Sequence, residues 1–182
     1  KIIFLLVARL LKDKGVGEYV EAARIIKKQY PDAEFQLLGF LDVINRTAVL
    51  KSEVDAWEKE GLVQYLGSSD DVRPFYEKAE CVVLPSYREG LSRTLIEAAS
   101  MAKPIITTNV PGCRDVVEDG ATGFLCSPQD SEDLAEKMIQ VINLTGHQRR
   151  EMGNRGRKKV LEEFDEKIVI SIYLQAIQAL IP

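Results

Sequence analysis

Two carboxylates eight positions apart, Glu89 and Glu97, flank a turn that leads from a polar loop into a run of helix formers. Between them lies Gly90-Leu91-Ser92, where Gly90 permits backbone geometry that other residues resist and Ser92 fits a helix N-cap. The amides of Leu91, Ser92 and Arg93 would then leave a helix start without intrahelical partners, which suits an anion. The carboxylates need something else. Sugar hydroxyls fit, because a carboxylate accepts two hydrogen bonds from a vicinal diol. Glu97 also has a plainer reading as an i,i+4 surface partner of Arg93.

Cations come from far away in sequence. Arg9 and Lys14 stand near the two ends of a loop, Ala8 to Gly15, that follows the apolar run Ile2 to Val7. Each could be a solvated loop charge. Taken with the helix start at Ser92, the pair could instead neutralise a diphosphate, with Glu89 and Glu97 taking the hydroxyls beside it.

The elements that must position these residues can be read from apolar runs and breakers. Strands are expected at Ile2 to Val7, Phe35 to Leu38, Val63 to Leu66, Cys81 to Leu84, Pro104 to Thr108 and Thr122 to Cys126. Helices are expected from the stripe Val16, Tyr19, Val20, Ala23, Ile26 and Tyr30, and over Lys51 to Lys59, Asp70 to Lys78 and Thr94 to Ala102. Pro111-Gly112 should open a turn and a brief helix through Val117, with another helix around Leu134 to Ile142 and a last one around Ile168 to Leu180. The stretch from Phe40 to about Thr47 reads as irregular.

Strand and helix alternate about six times, the pattern of a doubly wound, mostly parallel six-stranded Rossmann-like sheet with helices on both faces. In that strand order the first and fourth strands are neighbours, and ligands bind outside their carboxyl ends. Arg9, Lys14, Glu89 and the helix start would share one crevice.

Composition narrows the classes. The 182 residues suffice for one domain, 46% hydrophobic and 29% charged. A net charge of −4 gives no reason to expect nucleic acid. The run Gly15-Val16-Gly17 lacks the third glycine of a dinucleotide fingerprint, and neither a GxxxxGK[ST] phosphate loop nor a GxSxG nucleophile elbow occurs. Cys81, Cys113 and Cys126 are odd in number and scattered, so neither a disulfide framework nor a zinc cluster is expected. His147 reads as a surface residue in a polar connector, no run is long enough to span a membrane, and no metal is expected. The opening on a strand, without Met, suggests a piece of a longer protein.

Ala8-Arg9-Leu10 through Lys14-Gly15, Leu38-Gly39, Val63-Gln64-Tyr65-Leu66-Gly67 and Glu89-Gly90-Leu91-Ser92 through Glu97-Ala98 resemble, in that order, the C-terminal domain of retaining glycosyltransferases of family 4, with the GT-B fold. The resemblance runs from about residue 1 to residue 180 and implies one nucleotide-sugar-binding domain over 1–182, with an N-terminal acceptor domain absent from this chain. It implies that Arg9 and Lys14 hold the diphosphate of a UDP-sugar or GDP-sugar donor and, with Glu89, form the catalytic group. Glu89 would contact the transferred sugar, Glu97 the ribose diol, and Gly90, Leu91 and Ser92 the β-phosphate. Leu66 to Ser69 would flank the base. It further implies a glycan or lipid-linked acceptor, no metal, and a cytoplasmic full-length protein with peripheral membrane association. A non-catalytic nucleotide-sugar-binding or assembly domain and a GT-B sugar epimerase remain alternatives. The chain departs from the family pattern at Ala8, where glycine is common, and at Leu91-Ser92, where EGFG is common. The face of the last helix carrying Ile168, Ile172 and Tyr173 is expected to be partly exposed.

Overall fold

A computed structural model describes residues 1–41 and 44–180. The irregular stretch expected over 40–47 falls in part on residues 42–43, which lie outside the described residues, as do the last two positions of the expected 1–182 domain.

Six strands form one sheet: β1 (Ile3–Val7), β2 (Glu34–Leu38), β3 (Gln64–Tyr65), β4 (Cys81–Leu84), β5 (Ile105–Thr108) and β6 (Gly123–Cys126). Their order is β3-β2-β1-β4-β5-β6 and every strand pairing is parallel, as the alternation of elements predicts. Among the described residues seven α-helices complete the fold: α1 (Val16–Lys27), α2 (Lys51–Lys59), α3 (Arg73–Lys78), α4 (Arg93–Ser100), α5 (Ser131–Asn143), α6 (Gly146–Glu163) and α7 (Glu166–Leu180).

Alternating side chains of each central strand feed two cores. Phe4 and Leu6 of β1 join Val16 and Val20 of α1 and Leu134 and Met138 of α5 on one face. Leu5 and Val7 join Tyr76, Leu95, Ala98 and Val160 on the other. Strands covered on both faces therefore read as continuous apolar runs, each fully buried Leu or Phe contributing about 1.5–3 kcal/mol. Tyr19 is buried among them because its hydroxyl donates to the Phe4 carbonyl at 2.9 Å and accepts from the Gln36 amide at 3.2 Å. Cys81, Cys113 and Cys126 are all buried free thiols.

Three expectations are corrected. The connector expected around His147 is a helix, α6, started by Thr145, whose hydroxyl accepts the Gln148 amide while Gln148 Oε1 accepts the Thr145 amide. Its buried face is Met152, Gly153, Gly156 and Val160, too small and sparse to stand out as an apolar stripe. His147 is exposed, as expected, but helical. The turn expected at Pro111-Gly112 is present, but the brief helix expected through Val117 is instead a set of turns, closed by the Cys113 and Arg114 amides on Val110. Finally, α3 begins at Arg73 rather than Asp70, because the Asp71 carboxylate takes the Arg73 amide at 3.1 Å and Pro74 follows.

In α7 no residue is buried, with Ile168, Ile172 and Tyr173 exposed as expected.

Candidate functional site

After β1 the chain makes one turn of 3-10 helix, Lys12–Lys14, and reverses at Gly15, whose φ of 73° lies in the left-handed region. The Asp13 carbonyl accepts the Tyr87 amide at 2.9 Å and the Ser86 hydroxyl at 3.2 Å. Residues 13–15 and 85–87 are thus in direct contact. A Cβ on Gly15 would lie 2.1 Å from the Pro85 carbonyl oxygen, so only glycine lets the loops meet this closely.

The consequence is an ion pair across 75 positions: Lys14 Nζ donates to Glu89 Oε1 at 2.6 Å. Both side chains are largely withdrawn from solvent, 18% and 14% exposed. Removing either partner would leave a poorly solvated charge.

Beneath this pair, hydroxyls from β5 fix the Glu89 loop. Thr107 donates to the Leu84 carbonyl at 2.7 Å, Thr108 donates to the Ser86 carbonyl, and Ser86 itself is fully buried. From the side, Gly112 approaches so closely that a Cβ there would lie 2.0 Å from the Gly90 carbonyl oxygen. Above, the Tyr87 hydroxyl donates to Glu18 Oε1 at 2.6 Å.

This geometry revises the reading of the helix start. Ser92 is the N-cap by position, yet its hydroxyl caps nothing and its side chain is buried. Its amide donates to the Gly112 carbonyl at 3.3 Å, so it is not open as expected. The Leu91 and Arg93 amides donate to no backbone carbonyl among the described residues. Gly90 is not in the left-handed region, and a Cβ there would meet nothing within 4 Å. The glycine that the turn requires is Gly112.

Glu97 lies further along α4, half-buried on a cavity of about 430 Å³ shared with Asp70, Asp71, Tyr76 and Ser100. Arg93 Nη2 is 4.0 Å from Glu97 Oε1 with the Arg93 side chain 91% exposed. Such a loose exposed pair contributes little. Burial first, and then the Glu97 carboxylate, push the Tyr76 phenol above its ordinary pKa, so it stays a hydrogen-bond donor at neutral pH. Leu66 follows β3, its amide on the Leu37 carbonyl at 2.8 Å, and Ser69 closes a turn by donating to the Asp71 carbonyl at 2.8 Å.

The structure therefore brings Lys14, Glu89, Gly90, Leu91 and Ser92 into one cluster at the carboxyl ends of β1 and β4. Arg9 sits on the same loop as Lys14, exposed, its side chain bonded to no acid among the described residues. Sequence reasoning missed Asp13, Gly15, Ser86, Tyr87 and Gly112 as site-building residues. Gly15 had a visible signal, a glycine between a strand and a helix, and Gly112 follows proline. No group of three or more His, Cys, Asp or Glu is placed to hold a metal ion, and no helix is long and apolar enough to cross a membrane, among the described residues.

A doubly wound domain with a charged crevice at its topological switch point is the class that fold and site define. The chain belongs to the family of glycosyl transferases group 1, which matches residues 1–159. It is similar to the capsular polysaccharide biosynthesis glycosyltransferase CapM of Staphylococcus aureus, 32% identical over 163 residues, covering 90% of this chain and 42% of CapM. Among solved structures, sucrose-phosphate synthase from Thermosynechococcus elongatus superposes with a TM-score of 0.85 at 26% identity, over 99% of this chain and 45% of that one. Anabaena Alr3699/HepE in complex with UDP-glucose has the same fold, with a TM-score of 0.82 at 23% identity, over 99% and 48% of the two chains. These neighbours have the GT-B fold. The chain spans less than half the length of each of these proteins.

Proposed function

We propose that this chain is the C-terminal, donor-binding half of a retaining glycosyltransferase of the family 4 type, whose acceptor-binding half is N-terminal to it. It binds a UDP-sugar or GDP-sugar, and the complete enzyme transfers the sugar to a glycan or lipid-linked acceptor. The enzyme works in the cytoplasm, peripherally on a membrane, and without a metal, because Lys14 and Arg9 supply the positive charge that the departing diphosphate needs.

The observation that carries this reading is the 2.6 Å contact between Lys14 and Glu89, which puts a cation and a carboxylate in one crevice. An ammonium has three donors, so Lys14 can keep Glu89 and still reach a phosphate oxygen. Glu89 takes sugar hydroxyls with its other lone pairs. The Leu91 amide, with Gly90 leaving open space beside it and Ser92 shaping the turn, faces the β-phosphate. Glu97 accepts the ribose diol at the rim of its cavity, and Leu66 to Ser69 border the base. The likeness to CapM and the UDP-glucose bound by a protein of the same fold support a nucleotide-sugar donor.

Calorimetric titration with UDP, GDP and pyrophosphate tests the site. Glu97→Ala should weaken both nucleotides and spare pyrophosphate, while Lys14→Ala weakens all three. Equal loss of nucleotide and pyrophosphate in Glu97→Ala would remove the ribose role. In the protein at its full natural length, Lys14→Ala should lower turnover by about a hundredfold to a thousandfold with an unchanged circular dichroism spectrum.

A further inference from the structure

Glu18 lies in the first turn of α1, outside the residues assigned above to a ligand. Its Oε1 accepts the Tyr87 hydroxyl across 69 positions of sequence. Its Oε2 is buried and has no hydrogen-bond partner among the described residues. A buried carboxylate oxygen without a donor weakens the fold, and an apolar residue of similar size would fill the space without that penalty. The helix start favours negative charge at this position, but that attraction does not require Tyr87. What Glu18 alone supplies is a fixed acceptor for the Tyr87 hydroxyl.

Tyr87 is thereby anchored twice to one block of chain. Its amide is held by the Asp13 carbonyl at 2.9 Å and its ring tip by Glu18. Burial first, then the carboxylates of Glu18 and Asp13, raise the Tyr87 pKa, so the phenol remains a donor at neutral pH. Glu89 follows two residues later, and its carboxylate meets Lys14 of the same block. Loss of the ring anchor would leave residues 88–91 held at one end by Asp13 and Ser86, at the other by Gly112, and between them, among the described residues, only through the Glu89 side chain on Lys14.

We infer that the Glu18–Tyr87 hydrogen bond is a positioning latch, which sets where the Glu89 loop stands against Lys14 and so where both meet the donor. This deepens the proposed function and rests on it for its effect on catalysis. Glu18 and Tyr87 are positioning residues that act through Glu89.

Tyr87→Phe and Glu18→Ala remove the bond from either side, whereas Glu18→Gln keeps an oxygen for Tyr87. Hydrogen exchange of the unliganded chain reads the loop directly. The first two variants should speed exchange of the loop's hydrogen-bonded amides, residue 87 on the Asp13 carbonyl and Ser92 on the Gly112 carbonyl, about tenfold while β1 and β4 keep their protection. In the protein at its full natural length, assayed with a panel of UDP-sugars and GDP-sugars, each should lower kcat about tenfold with KM within about twofold, and the double variant should be no worse than either alone. Glu18→Gln should recover wild-type exchange and kcat to within about threefold. Unchanged loop exchange in Tyr87→Phe overturns the latch, as does multiplication of the two losses or failure of Glu18→Gln to recover. Failure of the donor reading has a different signature: Lys14→Ala would then leave nucleotide binding intact, and the exchange result would still decide the latch.

Discussion

At the scale of the residue, a single methyl group separates a closed crevice from an open one. Gly15 combines a φ of 73° with a carbonyl oxygen 2.1 Å from where a Cβ would stand. In Gly15→Ala the left-handed backbone alone costs about 1–2 kcal/mol, and Pro85 must also move. The melting temperature should fall by at least about 4 °C, read by calorimetry, and UDP affinity should fall with it because Lys14 and Glu89 no longer meet. An unaltered melting temperature would mean that the loops separate at no cost. The charges that meet were legible from their types and places: Lys14 and Glu89 follow β1 and β4, where the alternation of strands and helices puts a crevice, while Glu97 lies on a separate cavity along α4. Tyr87 and Gly112 were not, because each matters only through a partner at a distance in sequence. For Ser92 the residue type misled, since a serine at a helix start resembles a cap whether or not its hydroxyl is used.

Elements have their own local chemistry, and α5 shows it. Asp130 caps the helix by accepting the Glu132 and Asp133 amides, and Asp133 accepts the Ser127 amide at 2.7 Å, tying the helix to the end of β6. Burial works to raise the Asp133 pKa, but the Ser127 hydrogen bonds and Lys137 outweigh it and hold the carboxyl below its ordinary value. A carboxyl depressed in the folded state contributes stability above its unfolded pKa of about 3.9 and loses that contribution as pH falls through the folded value. Asp133→Asn should therefore destabilise the fold by about 1.5 kcal/mol at pH 7, with the difference from wild type shrinking below about pH 4 in urea titrations. A pH-independent difference would point to shape rather than charge. Helices with broad apolar faces, such as α1 and α5, were readable in advance. The helix α6 was not, because two of its four buried residues are glycines that add nothing to an apolar stripe.

The whole molecule is asymmetric in how it treats apolar surface. The sheet is sealed on both faces, while α7 leaves Ile172 60% and Tyr173 67% exposed. A helix with no fully buried residue adds little through burial, so Ile172→Asp should shift the unfolding free energy by less than about 0.5 kcal/mol, measured by urea denaturation. A larger loss would mean that α7 packs on something in solution. The doubly wound order was legible from the alternation of elements alone, because parallel strands must be joined by crossovers and sequential crossovers leave few topologies.

The central place of β1 constrains the order in which the chain can be assembled. Its residues hydrogen-bond to β2 on one edge and to β4 on the other. During synthesis the second edge must wait, unpaired, until residues 81–84 have left the ribosome. Long-range parallel pairing of this kind is slow to form and vulnerable to aggregation while incomplete. Nascent chains stalled before β4 would therefore be the ones that recruit chaperones, and release past it would end that dependence.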